Sequence, residues 1–174
     1  PYTPDQQTGP LGAYGSSKLA GEQQIQALAN ERSAIVRTSW LYSEFGNNFV
    51  KTMLRLMGEK EQLSIVNDQI GSPSSTHGLA ALIFAMIPQQ RYQGIYHWTD
   101  GASISWCEFA QEIQGQAIQE GLLRKAIPIS RIATIDYPTP ARRPAYSVLD
   151  RSRALAEFEC PTEDWKTQLR RVIK

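Results

Sequence analysis

Cysteine and histidine are scarce in this chain of 174 residues, which contains two of each. Cys107 and Cys160 stand far apart, and no secretory leader is recognisable, so neither a disulfide framework nor a thiolate metal site is indicated. No histidine, cysteine and carboxylate residues have the spacing of metal ligands, so the sequence predicts no catalytic metal. This composition is typical of a protein from a reducing cytoplasm.

Long apolar runs and an excess of one charge are also absent. No apolar stretch approaches the roughly 20 residues that cross a bilayer, so the sequence predicts a soluble protein without a membrane partner. Eighteen basic and seventeen acidic residues give a formal net charge of +1. Since no basic stripe is available to neutralise a phosphate backbone, nucleic acid is not an expected partner.

Helix and strand signals alternate along the chain. Helices are predicted over 13–29, from a cap at Asn47 to 57, from a cap at Ser75 or Thr76 to 87, over 106–120 with Ser105 as cap, and over 162–172. Strands are predicted within 33–42, 63–66 and 95–98, and loops over 1–12 and 128–150. The alternation predicts an α/β fold with crossover helices.

Tyr14 and Lys18 are the first candidates for chemistry. In the predicted first helix they lie on one stripe, which continues through Gly21, Ile25 and Leu28. A lysine ammonium beside a phenol favours the phenolate, although moving a tyrosine pKa from near 10 to about 7 requires roughly 4 kcal/mol. The alternative is a core tyrosine with a lysine extended along the helix surface, because the spacing alone is common by chance.

Several longer segments carry a family resemblance. Three of them together resemble the extended short-chain dehydrogenase/reductase superfamily: 13–22, 37–42 and 46–50. Four more resemble one branch of it, the dTDP-4-dehydrorhamnose reductases: 67–73, 96–98, 105–106 and 138–147. The resemblance implies the C-terminal part of an NAD(P)-binding, Rossmann-like doubly wound fold, with a small α/β region for the substrate. It assigns 1–66 to the end of the Rossmann-like domain and 67–174 mainly to the nucleotide-sugar-binding region, with interleaved segments.

The resemblance also implies an activity and a catalytic pair. The family reduces the C4 keto group of dTDP-4-dehydro-L-rhamnose with NADPH, giving dTDP-L-rhamnose. Tyr14 would donate the proton to the C4 oxygen. Lys18 would bond the nicotinamide ribose, so both residues would also contact the cofactor. NADH remains an alternative to NADPH, and a homodimer remains open.

Substrate contacts follow from the same resemblance. Trp40 would offer an aromatic face to the deoxysugar, although an aromatic residue at a strand end is a simpler explanation. Arg143, or else Arg142, would hold the nucleotide diphosphate, unless the pair is a solvated basic surface. Asn48 and Gln69 would bond substrate hydroxyls or phosphate, although amides that close loops explain them equally well.

The two histidines are not predicted to be catalytic. His97 lies in a short apolar strand and is expected to be a hydrogen-bonded structural residue. His77 lies near the start of a helix and is expected at the surface.

Two features of a complete enzyme of this kind are missing from the sequence. No strand is followed by a glycine-rich turn for the cofactor pyrophosphate, and no Ser or Thr partner precedes Tyr14 at the family's position. We therefore expect a fragment that alone neither binds NADPH tightly nor turns over. Exposed strand edges and an uncovered face of the Tyr14 helix predict poor solubility or association.

Other functions remain open at this point. The first alternative is a nucleotide-sugar epimerase or dehydratase of the same superfamily, since these enzymes share the Tyr-x-x-x-Lys pair. The second is a non-catalytic regulatory subunit with the same fold, although the presence of Tyr14 and Lys18 counts against it.

Overall fold

The computed structural model describes residues 1–89 and 93–174 and has alternating helices and strands. The helices are α1 Ala13–Ala29, α2 Phe49–Glu59, α3 Thr76–Met86, α4 Trp106–Gln119, α5 Ser152–Glu157 and α6 Trp165–Ile173. The strands are β1 Ala34–Thr38, β2 Leu41–Tyr42, β3 Leu63–Val66, β4 Ile70–Gly71, β5 Ser74–Ser75, β6 Gly94–Trp98, β7 Ile104–Ser105 and β8 Ile129–Ile132. Within these ranges, no helix combines the length and the apolarity needed to cross a bilayer.

The strands form pairs that are far apart in sequence. β1 pairs with β6, β2 with β5 and β3 with β8, all in parallel, whereas β4 and β7 are antiparallel. Parallel neighbours require a crossover connection, and helices lie in the intervening chain. The predicted α/β class with crossover helices is therefore confirmed.

Side-chain oxygens cap four helices of the described residues, namely α2, α3, α4 and α6. Ser75 accepts a hydrogen bond from the Gly78 amide, and Ser105 forms a capping box with Glu108, as the sequence predicts. The cap of α2 was predicted one residue too early, at Asn47. Asn48 is the capping residue, since its backbone is extended and its side chain accepts from the Lys51 amide.

The C-terminal third differs most from the prediction. The segment 128–150, predicted to be a loop, contains β8, which is stabilised by pairing with the distant β3. Helix α5 is also missing from the prediction. The last helix begins at Trp165 rather than near 162, because the Asp164 side chain caps it by accepting from the Lys166 amide.

Two hydrophobic clusters hold these elements together. The larger one joins α2, α4 and α6 around Phe109, whose ring contacts those of Trp40, Tyr42, Phe49, Trp106 and Trp165. The smaller one packs Leu82 and Met86 of α3 with Tyr96 and Trp98 of β6, and Phe158 lies beside them. Three of these aromatic residues also line a cleft that belongs to the candidate site, namely Trp40, Phe49 and Trp106.

Helix α1 is attached to this body without burying any of its own residues. Its link to β1 is a bidentate ion pair between Glu22 and Arg37, with nitrogen–oxygen distances of 2.6–3.1 Å. Leu28 of α1 is 79% exposed. The helix that carries the Tyr-x-x-x-Lys pair therefore presents an uncovered face.

Candidate active site

Tyr14 and Lys18 lie side by side in the first two turns of α1. The Lys18 ammonium is 5.7 Å from the centroid of the Tyr14 ring. Tyr14 is 77% exposed, so the alternative of a tyrosine packed in a core does not apply in this structure. The pair has the arrangement that the spacing predicts, and it faces a cleft.

We call this the Tyr14 cleft, a space of about 810 Å³ between the N-terminal loop, α1, the ends of β1 and β6, and the segment 142–149. Its lining includes Tyr2, Pro10, Tyr14, Lys18, Thr38, Ser39, His97, Arg142, Pro144 and Tyr146. The hydroxyl and ammonium groups of Tyr14 and Lys18 are therefore available to a ligand in this cleft.

A second space, the Trp40 cleft, has a volume of about 660 Å³. Its lining includes Trp40, Phe49, Met53, Leu56, Ile65, Gln69, Trp106, Tyr137, Thr139 and Arg143. Apolar and aromatic walls with a few polar groups are typical of sites for small organic ligands. The consecutive residues Ser39 and Trp40 line one cleft each.

Trp40 is fixed in place by its neighbours. Its ring stacks on Trp106 with centroids 3.6 Å apart, and it lies directly against Gly71. Its backbone has a φ of 48°, a left-handed conformation that is unfavourable for a bulky residue, and strained residues of this kind cluster at functional sites. Trp40 therefore packs at a strand end and also forms a cleft wall, and its contact with the deoxysugar stays a prediction.

The two consecutive arginines point to different clefts. Arg142 lines the Tyr14 cleft, and Arg143 lines the Trp40 cleft. Among the residues that the structure describes, neither guanidinium has an ion pair or a side-chain hydrogen bond. Each is therefore available to an anionic ligand, and the sequence alone did not distinguish their positions.

Asn48 is occupied by local contacts. Its side-chain oxygen caps α2, and its amide nitrogen donates to the Ser43 carbonyl at 2.7 Å. It does not belong to the lining of either cleft. The loop-closing interpretation accounts for these contacts, and a substrate contact for Asn48 stays a prediction.

Gln69 lines the Trp40 cleft but also anchors the segment that follows β8. It is 6% exposed, and its amide nitrogen donates to the Thr134 hydroxyl at 3.0 Å. The neighbouring Asp68 accepts from the Thr134 amide at 2.9 Å and from its hydroxyl at 2.6 Å. These bonds lower the pKa of the Asp68 carboxyl. They fix the start of the segment that brings Tyr137 to the cleft, a role that the sequence did not reveal.

The histidines occupy the positions expected from the sequence. His97 is 2% exposed, and its Nδ1 lies 3.0 Å from the carbonyl of Tyr2, while its Nε2 has no partner in the described part of the chain. Burial lowers the pKa of His97, which favours a neutral ring. His77 is partly exposed and lies 3.2 Å from a carboxylate oxygen of Glu44. Over 1–89 and 93–174, no group of three or more His, Cys, Asp and Glu residues could hold a metal ion.

Asp100 is a buried carboxyl group that the sequence did not single out. It accepts from the Ser75 amide at 2.7 Å and from the Tyr42 hydroxyl at 3.4 Å. Burial nevertheless raises its pKa from 3.8 to about 6. The Asp100 carboxyl therefore links the segment that follows β6 to the start of α3.

This raised pKa predicts a pH dependence of stability. The folded protein holds the Asp100 proton more tightly than the unfolded chain, so the contribution of Asp100 to the free energy of unfolding should fall as pH rises from about 4 to about 6. The contribution is at most about 3 kcal/mol. Urea titrations across this pH range should show the stability of the wild type falling relative to that of Asp100→Asn as pH rises. Identical profiles would contradict the prediction.

Comparison with known proteins identifies clear relatives. The profile of the family described as RmlD substrate binding domain matches residues 1–174. A dTDP-4-dehydrorhamnose reductase from Aggregatibacter actinomycetemcomitans is 38% identical over 168 residues, covering 94% of this chain and 57% of that protein. The crystal structure of dTDP-4-dehydrorhamnose reductase from Bacillus anthracis in complex with NADP has a TM-score of 0.87 and 37% identity, covering 98% of this chain and 58% of the other.

A more distant structure shares the fold alone. The UDP-glucose-4-epimerase of Stenotrophomonas maltophila has a TM-score of 0.76 at 17% identity, over 99% of this chain and 56% of that one. The chain spans about three fifths of the length of the curated relatives it matches. The family resemblance and the Rossmann-like α/β fold predicted from the sequence are confirmed.

Proposed function

Since this chain belongs to the RmlD substrate binding domain family, we propose that it carries the catalytic pair and the sugar-nucleotide pocket of an NADPH-dependent reductase. The substrate is dTDP-4-dehydro-L-rhamnose, and the product is dTDP-L-rhamnose. The observation that carries the proposal is the exposed Tyr14–Lys18 pair in one cleft, together with Trp40 and Arg143 in the lining of a second, aromatic cleft.

The chemistry at C4 requires one hydride and one proton. NADPH, when bound, supplies the hydride to the carbonyl carbon. Tyr14 donates its phenolic proton to the carbonyl oxygen, so that the ketone becomes an alcohol. Lys18 stabilises the phenolate that remains and donates to ribose hydroxyls of the cofactor. The residues fit this role, because both groups are exposed donors on one side of an open cleft.

The sugar nucleotide would extend across both clefts. We place the nucleoside in the Trp40 cleft, the diphosphate at Arg143, and the sugar next to Trp40 with its C4 directed toward Tyr14. A guanidinium can bind phosphate oxygens with two parallel hydrogen bonds, and an aromatic face suits the apolar side of a deoxysugar. This path is supported by the consecutive residues Ser39 and Trp40, which line one cleft each.

We further propose that turnover requires a dinucleotide-binding portion in addition to these residues. The relatives are longer than this chain, and α1 leaves Ile25 and Leu28 exposed. Residues 1–66 would belong to the cofactor-binding side and 67–174 mainly to the substrate side. The segments interleave, since β6 pairs with β1.

The reductase is favoured over an epimerase or dehydratase, because relatives near 38% identity carry the reductase name whereas the epimerase shares the fold at 17%. A spectrophotometric assay separates these functions. The protein from the complete reading frame should consume one NADPH for each substrate molecule, whereas an epimerase or dehydratase returns its cofactor unchanged. The 174-residue chain alone is expected to be inactive, and a comparable rate from it would contradict the need for a further portion.

Arg143→Ala should weaken substrate binding. Loss of charge-assisted hydrogen bonds to a diphosphate is expected to raise KM roughly 10- to 100-fold, with a smaller change in kcat. Inhibition by dTDP should weaken by a similar factor. Arg142→Ala is the matched control, because Arg142 lines the Tyr14 cleft and should leave dTDP inhibition nearly unchanged. Equal loss of dTDP inhibition in both variants would contradict the assignment of Arg143.

A further inference from the structure

Glu22 stands at an unusual place for a carboxylate. It follows Lys18 by four residues on α1, so the two side chains share a helix face one turn apart. Oppositely charged residues at this spacing attract each other. A free carboxylate at position 22 would therefore compete with Tyr14 and the cofactor for the Lys18 ammonium.

Arg37 of β1 engages this carboxylate instead. Its Nε donates to one Glu22 oxygen at 2.9 Å, and its Nη2 donates to the other at 2.6 Å. The side chains are only 20% and 17% exposed, so the pair is better shielded than a surface ion pair. Both carboxylate oxygens are thus occupied by one guanidinium.

Lys18, by contrast, has no ion pair among the residues described. Its ammonium group lies over the Tyr14 ring. The two charges of α1 both border the Tyr14 cleft, with Glu22 held against β1 by Arg37 and Lys18 beside the Tyr14 ring.

We propose that Arg37 is a positioning residue for catalysis, which holds Glu22 at β1 and so keeps the Lys18 ammonium available to Tyr14. The inference rests on the proposed function of Tyr14 and Lys18. Arg37 acts through Glu22 and touches neither substrate nor cofactor in this account.

The charges around the pair determine the expected effects. The charged and titratable groups that line the Tyr14 cleft with the pair are Glu22 of α1, Arg37 of β1, His97 of β6 and Arg142, with the phenols of Tyr2 and Tyr146. If the positive charge of Arg37 is removed, Glu22 can pair with Lys18. This pairing disfavours the Tyr14 phenolate, because the ammonium charge is then neutralised. Removing the negative charge of Glu22 leaves the positive charges of Arg37 and Lys18 uncompensated, and these charges favour the Tyr14 phenolate.

The experiment compares Arg37→Gln, Glu22→Gln and the double variant in the protein from the complete reading frame. Tyrosine labelled with ¹³C at Cζ reports the titration of the Tyr14 phenol by NMR, and Tyr14→Phe identifies its signal. We expect the titration midpoint to rise by roughly 0.5–1 pH unit in Arg37→Gln and to fall by a similar amount in Glu22→Gln. The double variant should return toward the wild type. The pH profile of kcat should shift in the same directions.

Two control variants test whether the shifts in titration midpoint are specific to Arg37 and its charge. Arg55→Gln removes an arginine from an exposed ion pair with Glu59 on α2 and should shift nothing. Arg37→Lys keeps the charge if Arg37→Gln does not fold, and it should retain the wild-type midpoint. The proposal would be overturned if neither single variant shifts the titration midpoint of Tyr14, or if both variants shift it in the same direction. A wild type without turnover would instead refute the proposed function, while the NMR titration still tests the role of Arg37.

Discussion

Replacing Tyr14 with phenylalanine is expected to lower kcat by roughly 10²- to 10⁴-fold, the usual contribution of a positioned general acid. The substitution removes one hydroxyl from a residue that is 77% exposed, so the fold should not change. KM for the sugar nucleotide should stay within a few-fold of the wild type, because the nucleotide binds through other residues. Steady-state kinetics of the protein from the complete reading frame measure both quantities.

Tyr96→Phe provides the matched control for this loss. Tyr96 is buried in β6, lies outside both clefts and donates to Glu157. Removing the Tyr96 hydroxyl should lower the free energy of unfolding by about 1 kcal/mol and leave kcat unchanged. If Tyr14→Phe retains the turnover of the wild type, Tyr14 is not the acid.

Gly71→Ala is expected to have the second large effect. A methyl group at this position would overlap the Trp40 indole and lie 2.7 Å from the Ser147 hydroxyl oxygen. Trp40 has little room to withdraw, because its ring also stacks on Trp106. The variant should lose about 1–3 kcal/mol of stability, as for overpacked cores, and should bind the sugar nucleotide more weakly.

A glycine in open space serves as the control. Gly115 lies within α4, and a methyl group there would meet nothing within 4 Å. Gly115→Ala should stabilise the protein by about 0.5–1 kcal/mol, because alanine is the better helix former. Chemical denaturation and dTDP binding measured on both variants test the comparison. Unaltered stability and affinity in Gly71→Ala would show that the Trp40 wall is not rigid.

The elements that could be predicted are those with local signals. Helix α1 has the predicted bounds, and Ser75 and Ser105 cap α3 and α4 as expected, because helix composition and capping depend on neighbouring residues. β8 was missed, because it has only four residues and is stabilised by β3, far away in sequence. The two-residue strands are too short to produce a periodic pattern.

Only part of the candidate site could be predicted from the sequence. Tyr14 and Lys18 share a helix stripe, so their proximity follows from spacing alone. The sequence could not separate Arg142 from Arg143, because the path of an irregular segment decides which cleft each one faces. Glu22 and Arg37 both lie within the segments used for the family resemblance, but their pairing depends on how α1 docks on β1.

Transfer of a labelled hydride is the most direct test of the central claim, that these residues serve an NADPH-dependent ketone reduction. NADPH carrying deuterium at its transferable position is incubated with dTDP-4-dehydro-L-rhamnose and the protein from the complete reading frame. NMR and mass spectrometry of the product should show one deuterium at C4 of dTDP-L-rhamnose. A sugar product without deuterium, formed with no net consumption of NADPH, would contradict the account and indicate epimerase or dehydratase chemistry.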